Sequence, residues 1–288
     1  MGNIIKIEKQ SEYYPKKLLD LKDPPKCLWT VGNLELLKQT QDFPTLAVVG
    51  TRRYSEYGKI VVRKIVQELS SYFIIVSGMA LGIDALSHKI CIENNGKTIA
   101  VLGSGVDEES IYPKENIRLA KEILEKQGLI ISELEPGTKA TKFTFPKRNR
   151  IIAGLSDGVL VIEAREKSGT IITANFAKEI KRKVFAVPGS VFSVNSKGTN
   201  NLIKEGAILT SGAQDILNSF GIKSSYNKII DDLSEKERAL LKFIENGCDI
   251  DELVEKLNLS VPEILKLITQ LETKNLIEQV GDKYYPKI

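Results

Sequence analysis

Six short runs rich in Val and Ile constrain this chain most strongly: Thr45 to Gly50, Phe73 to Gly78, Lys97 to Gly103, Leu129 to Ser132, Val159 to Glu163 and Val184 to Gly189. None alternates cleanly between apolar and polar residues, so each is expected to be covered on both faces. Segments with helical spacing lie between them, at Tyr57 to Leu69, Ile83 to Ile92, Ile117 to Leu124 and Ile171 to Ile180. Strand followed by helix, repeated, predicts an α/β fold built on a doubly wound, mostly parallel sheet. In such a sheet a ligand binds beyond the carboxyl ends of the strands, and the turns that leave those ends here are rich in Gly, Ser and Arg.

The flanking segments read differently. Ile4 to Gln41 suggests one or two short helices broken at Pro24 and Pro25, an N-terminal extension over 1–41 ahead of a sheet domain over 42–221. Ser and Asn interrupt the apolar pattern around Gly221 to Lys228, which places a linker over 222–230. From 231 to 288 the spacing predicts helices at Ser234 to Glu245 and Ile250 to Lys256, and a third opened by Ser260 with Pro262 and running to Lys274. Leu276 to Val280 and Lys283 to Tyr285, joined through Gly281-Asp282, complete a small winged-helix domain.

Charge divides along the same line. The formal net charge is +4, but up to Ile230 there are 33 Lys and Arg against 24 Asp and Glu, whereas from Asp231 onward there are 8 against 13. A polyanion would therefore meet the body and not the tail. No apolar run approaches the roughly 20 residues that span a bilayer, and Met1 to Gln10 shows no secretory signal, so a cytoplasmic protein is expected. Cys27, Cys91 and Cys248 lie far apart and His88 is the one histidine, a pattern that supports neither zinc nor a disulfide framework. No metal or cofactor is expected.

Four strand-end segments carry the chemistry. Gly50-Thr51-Arg52-Arg53 combines free backbone N–H groups with two guanidinium groups at a helix entrance, an anion-binding arrangement with Arg52 as the leading candidate. Ser77-Gly78 opens a second small-residue turn that continues to Gly82 and Asp84. Gly103-Ser104-Gly105 begins like a dinucleotide fingerprint, yet Glu108 stands where the third glycine belongs. Ser168-Gly169-Thr170 caps a helix whose first N–H groups suit a phosphate. Cys91 to Thr98 approaches a nucleotide-binding P-loop but precedes a strand instead of following one, which disfavours triphosphate hydrolysis. The most informative stretch is Gly137 to Ile152, read as a basic loop: Lys139, Lys142, Lys147, Arg148 and Arg150 occur without an acidic residue, interleaved with Phe143 and Phe145. Cations for phosphates and flat rings for unpaired bases suit single-stranded nucleic acid, because a duplex hides its base faces.

The ordered set Val49-Gly-Thr-Arg52, Ser77-Gly-Met-Ala-Leu-Gly-Ile-Asp84, Gly103-Ser-Gly105 with Tyr112-Pro113, Phe145-Pro-Lys-Arg-Asn-Arg-Ile-Ile-Ala-Gly154, Ser168-Gly-Thr170 and Ala186-Val-Pro-Gly189 resembles the DNA-processing protein A family, DprA or Smf. The resemblance covers roughly Tyr14 to Phe220. It implies an extended Rossmann-like domain that binds single-stranded DNA without catalysis, forms a homodimer, and helps load the recombinase RecA onto incoming DNA during natural transformation, the state of competence. Carried over residue by residue, it implies phosphate contacts at Arg52, Lys142 and Arg148, a base contact at Phe145, and a pocket completed by Gly50, Thr51, Ser77, Gly78, Asn149, Ser168 and Gly169, with Lys114 as a further contact. The tail resembles the family's winged-helix module, although Glu263 and Glu272 offset Lys266 and Lys274 on its third helix, so a protein partner is expected for it. The helical SAM-like domain that opens some members has no counterpart in the residues before Thr45. The rival reading is a nucleotide-processing enzyme resembling phosphoribohydrolases, whose Gly-Gly-x-Gly-Thr-x-x-Glu loop would align with Ser168 to Thr173. There Thr173 occupies the position of the catalytic Glu.

Overall fold

A computed structural model of the protein describes residues 2–223, 232–274 and 276–286. The six apolar runs become β3 (Thr45–Val49), β4 (Ile74–Ser77), β5 (Thr98–Val101), β6 (Leu129–Ser132), β7 (Gly158–Val161) and β8 (Lys183–Ala186). With β1 (Ile5–Glu8), β2 (Cys27–Gly32) and β9 (Ile208–Leu209) they form one sheet in the order β1-β2-β6-β5-β4-β3-β7-β8-β9. Pairing is parallel from β6 through β9, with Ala100 opposite Ile130, Val76 opposite Ile99 and Val48 opposite Leu160. Every residue of β3 to β7 is buried, which is why those runs do not alternate.

Helices cover both faces. They are α1 (Glu35–Gln39), α2 (Glu56–Leu69), α3 (Ile83–Glu93), α4 (Ile117–Glu125), α5 (Thr144–Leu155), α6 (Gly169–Glu179), α7 (Lys197–Lys204) and α8 (Ala213–Ser219). Adjacent strand residues feed opposite cores: Ile99 and Val101 pack with Leu18, Ile151 and Leu155, whereas Ala100 and Leu102 pack with Ile92, Ala120 and Ile123. From β3 the chain winds outward through β4, β5 and β6, then returns across the sheet so that β7 lies on the other side of β3. That reversal opens a crevice at the carboxyl ends of β3 and β7.

Two expectations need correction. Residues 1–41 are not a helical extension, since β2 pairs antiparallel with β6, placing Trp29 opposite Ser132, and β1 pairs with β2. Between them a single 3₁₀ turn (Lys16–Asp20) buries Leu18 in the main core. The edge of β6 away from β5 supplies the hydrogen-bonding groups that β2 takes up, a pairing local helical spacing could not reveal, and tertiary pairing overrides propensity. The basic stretch is also not a loop throughout, because Thr144 onward is helix α5. Pro146 is tolerated there because it lies in the first turn, where its missing N–H would have no intrahelical partner.

The chain divides into compact units at Met1–Ile216 and Leu217–Ile288. Most of the 222–230 segment read as a linker falls outside the described residues. In the second unit α9 (Glu235–Phe243), α10 (Ile250–Leu257) and α11 (Val261–Thr273) precede the hairpin β10 (Ile277–Val280) and β11 (Lys283–Pro286). Leu240, Leu253, Ile264, Ile268 and Leu271 form its core. Both Glu237 and Glu263 close capping boxes, with Ser234 and Ser260, and Lys274 pairs with Glu237 at 2.6 Å. That pairing, more than the backbone and hydroxyl of Ser234, holds the Glu237 carboxyl down at about 2.

Because Leu18 is fully buried, Leu18→Ala is expected to cost about 2–5 kcal/mol. Urea unfolding followed by circular dichroism measures this; a detachable N-terminal extension would leave the midpoint unchanged.

Candidate nucleic-acid interface

The loops after β3 and β4 interlock through two glycines. A Cβ on Gly50 would lie 2.6 Å from Ile83 Cγ1, and one on Gly82, whose φ is +88°, would lie 2.3 Å from Thr51 O. The Thr51 N–H donates to Glu163 O at 2.8 Å, tying the loop after β3 to the one after β7. Glu163 itself is fully engaged: its carboxylate accepts from Ser55 N at 3.0 Å and Ser55 Oγ at 2.5 Å, while Ser55 Oγ caps α2 by accepting from Gly58 N. This carboxylate is therefore turned toward α2 and does not line the cleft.

Beneath the crevice, Arg148 on α5 is buried with 4% exposure. Its Nη1 donates to the carbonyls of Gly78 and Val101, at the ends of β4 and β5, and its Nε donates to Asn149 Oδ1 at 3.2 Å. Buried Asp84 faces it. Burial pushes the Asp84 carboxyl up to about 6, against the pull of Arg148 and of the Gly50, Ala80 and Gly78 N–H groups. Burial likewise brings Arg148 down to about 10, opposed by Asp84 and reinforced by the like charge of Arg52. For both partners desolvation outweighs their attraction, so the pair holds α5 in place more than it adds stability. Next to it on α3, His88 is pushed down to about 3 by burial, its Nδ1 2.7 Å from Thr98 Oγ1. It is a structural histidine.

Above this floor lies a cleft of about 580 Å³, lined by the loops after β3, β6 and β7 and the first turns of α5 and α6. The half-buried Phe145 ring rests on Gly103, where a Cβ would come within 3.0 Å of it. The glycine that looked like part of a dinucleotide fingerprint thus seats an aromatic ring. The Arg52 guanidinium lies 5.5 Å from the Phe145 centroid and the Tyr112 ring 5.8 Å away at 44°. Lys142 stands at the mouth, 5.1 Å from the ring of Phe143, which is 74% exposed. Across the cleft, the Asn149 amide donates to Gly169 O at 3.0 Å and joins α5 to the N-terminus of α6. Ser168 stands at the N-cap of α6, but its buried Oγ makes no capping bond and has no hydrogen-bond partner among the described residues. Among the described residues, Arg52, Lys142 and Arg165 line the cleft with no carboxylate paired to them.

The cleft brings together Gly50, Thr51, Arg52, Lys142, Phe145, Arg148, Asn149, Ser168 and Gly169. It does not include Ser77, Gly78 or Lys114. Ser77 is fully buried, its Oγ donating to Val48 O at 2.6 Å; Gly78 leaves room for the Arg148 guanidinium; Lys114 Nζ donates to Glu109 O at 2.5 Å. Arg150 is also withdrawn, held by Glu133 at 2.5 Å and Asp23 at 3.6 Å, and Lys147 lies 3.9 Å from Glu133. Tyr112, Thr141 and Arg165 also line the cleft, although none was expected as a contact. For Tyr112 the signal was its place in the Tyr112-Pro113 motif.

A model of the DNA recombination-mediator protein A family matches residues 5–221. The chain belongs to this family. The DprA winged helix domain model matches residues 228–283. The DNA processing protein DprA of Streptococcus pneumoniae is 47% identical over 207 residues, 72% of this chain and 71% of that protein. Protein Smf of Escherichia coli is 37% identical over 290 residues, 96% of this chain and 76% of that protein. The solved S. pneumoniae DprA structure gives a TM-score of 0.69 at 43% identity, covering 75% of this chain and 74% of that one. Helicobacter pylori DprA, whose structure is described for its single-stranded DNA binding mode, gives 0.66 at 32% identity over 76% of this chain and 96% of that one. The family domain starts at residue 5, so the N-terminal strands belong to it as they belong to the sheet.

The Asp84 carboxyl holds its proton in the folded state up to about pH 6 and loses it near 3.8 when unfolded. Between those values the folded state binds more protons, so this group makes stability fall as pH rises through that window. Asp84→Asn is expected to remove this slope in unfolding free energies measured from pH 4 to 7.

Proposed function

We propose that this chain is a non-catalytic single-stranded DNA-binding protein that assists RecA loading onto incoming DNA in natural transformation. The observation that carries the reading is the convergence of three unpaired cations on a cleft that also presents the Phe145 ring. Phosphates would lie along Arg52, Lys142 and Arg165 and the first N–H groups of α6, and an unpaired base would stack on Phe145 beside Tyr112. Membership of the DprA family and the single-stranded DNA binding mode described for the H. pylori relative support it. Thr173, where a phosphoribohydrolase carries Glu, argues against the enzyme reading.

Several finer points belong to the same proposal. The protein acts in the cytoplasm; among the described residues no helix is long and apolar enough to cross a membrane. It works as a homodimer, which lengthens the site. The acidic winged-helix unit contacts protein and not DNA, since Glu263 caps α11 and Lys274 is engaged by Glu237.

With three phosphates neutralised, log Kobs for oligo(dT) against log salt should fall with a slope of roughly −2. Arg52→Ala or Lys142→Ala should each make it shallower by roughly 0.7 whatever the base sequence, as read by fluorescence anisotropy. Duplex of equal length should bind more weakly, and unchanged slopes in both variants would refute the cleft. For the RecA role, the wild-type chain should speed RecA assembly on single strands and Arg52→Ala should not.

A further inference from the structure

Outside the cleft, α2 and the loop after β8 expose apolar side chains that no core uses. Tyr54, Tyr57 and Ile60 are 38%, 48% and 64% exposed, and Val191, Phe192 and Val194 are 74%, 93% and 55% exposed. Tyr57 Oη donates to Pro188 O at 2.8 Å, so the two segments meet. A single exposed apolar residue needs no explanation, but six from two touching segments mark a contact surface.

Hydrogen bonds set the position of the most exposed ring. Ser193 N donates to Ser190 O at 3.0 Å and Phe192 N donates to Ser190 Oγ at 3.3 Å, closing a turn with Val191 and Phe192 at its centre. On one side of the turn Asn200 holds both backbone groups of Gly189, at 3.2 and 3.0 Å. On the other, Asn195 Nδ2 donates to Arg53 O at 3.0 Å and Asn195 O accepts from Ala164 N at 2.7 Å. Arg53 follows Arg52, and Ala164 precedes Arg165, so both bonds of Asn195 land one residue outside the cleft lining. The turn therefore stands at the cleft rim. Arg53 and Lys197 are exposed there with no carboxylate paired to them among the described residues, while Lys59 is occupied by Glu56 at 3.5 Å.

We propose that Phe192 is a second base-stacking platform, on which a single strand leaving the cleft past Arg52 lays a further unpaired base, with Arg53 meeting the phosphate between. This rests on the single-stranded DNA reading of the cleft. Like Phe145 it is a ring among basic residues, and stacking on such a ring accepts any base because every base has a flat face. The ring projects from the turn with 93% of its surface exposed, which leaves its face open to a base.

The test compares oligo(dT) of about 4 nucleotides, enough for the cleft, with about 12, enough to reach the rim. Phe192→Ala should bind the short strand as the wild type does and the long strand roughly 10-fold more weakly. Phe192→Trp should keep the long-strand affinity and show indole fluorescence quenched by the long strand alone, above the signal of Trp29. Wild-type affinity of Phe192→Ala for both lengths overturns the platform, and so does equal loss at both. Unchanged DNA binding with a shift from dimer to monomer in sedimentation would reassign the patch to protein contact and also overturn it. Arg52→Ala separates the two ideas: if it binds both lengths as the wild type does, the cleft reading itself fails.

Discussion

One buried guanidinium organises the crevice. Arg148 reaches from α5 to carbonyls at the ends of two neighbouring strands, β4 and β5, and faces Asp84 at the start of α3. Moving such a charge out of water costs several kcal/mol unless its hydrogen bonds are met, so the start of α5 can dock in few other ways. With residue 148 held there, Phe145 one turn earlier settles over Gly103, and Lys142 is left at the mouth.

The charges divide into those used for building and those left over. Asp84 is paired with Arg148 and Glu133 with Arg150, while Glu163 is turned to Ser55 at the α2 cap, outside the cleft lining. What remains around the cleft is cationic, next to the N-terminus of α6. In a partly enclosed crevice these charges are screened less than they would be on an open surface. The cleft's affinity for anions thus arises from which carboxylates the fold has already taken, as much as from the number of basic residues.

Much of the architecture was legible in the chain. The runs at Thr45, Phe73, Lys97, Leu129, Val159 and Val184 all became strands because burial on both faces leaves a continuous apolar signature. Residues 1–41 were misread because β2 pairs with β6, more than 90 positions away, and β1 pairs only with β2, which local spacing does not encode. The basic stretch was read as a loop because its residues show no apolar period, and where α5 begins within it depends on how Arg148 docks. Arg52 was legible from its place in a strand-end turn, and Lys142 and Phe145 were picked out of the basic stretch by the family resemblance. Tyr112 and Arg165 were not, since their positions depend on how three loops pack together.

By itself, the sequence determined the parallel α/β plan, the basic body with its acidic tail, and membership in the DprA family, because these rest on composition, period and ordered motifs. Only the tertiary structure decided which of the basic residues are available. Arg52 and Arg148 are the same residue type in two basic motifs, yet one lies over a ring at the cleft and the other is held against carbonyls 70 and 47 positions away in the chain. Burial and hydrogen-bond partners, not residue type, set the charge a ligand meets, and both arise only when distant strands are brought side by side.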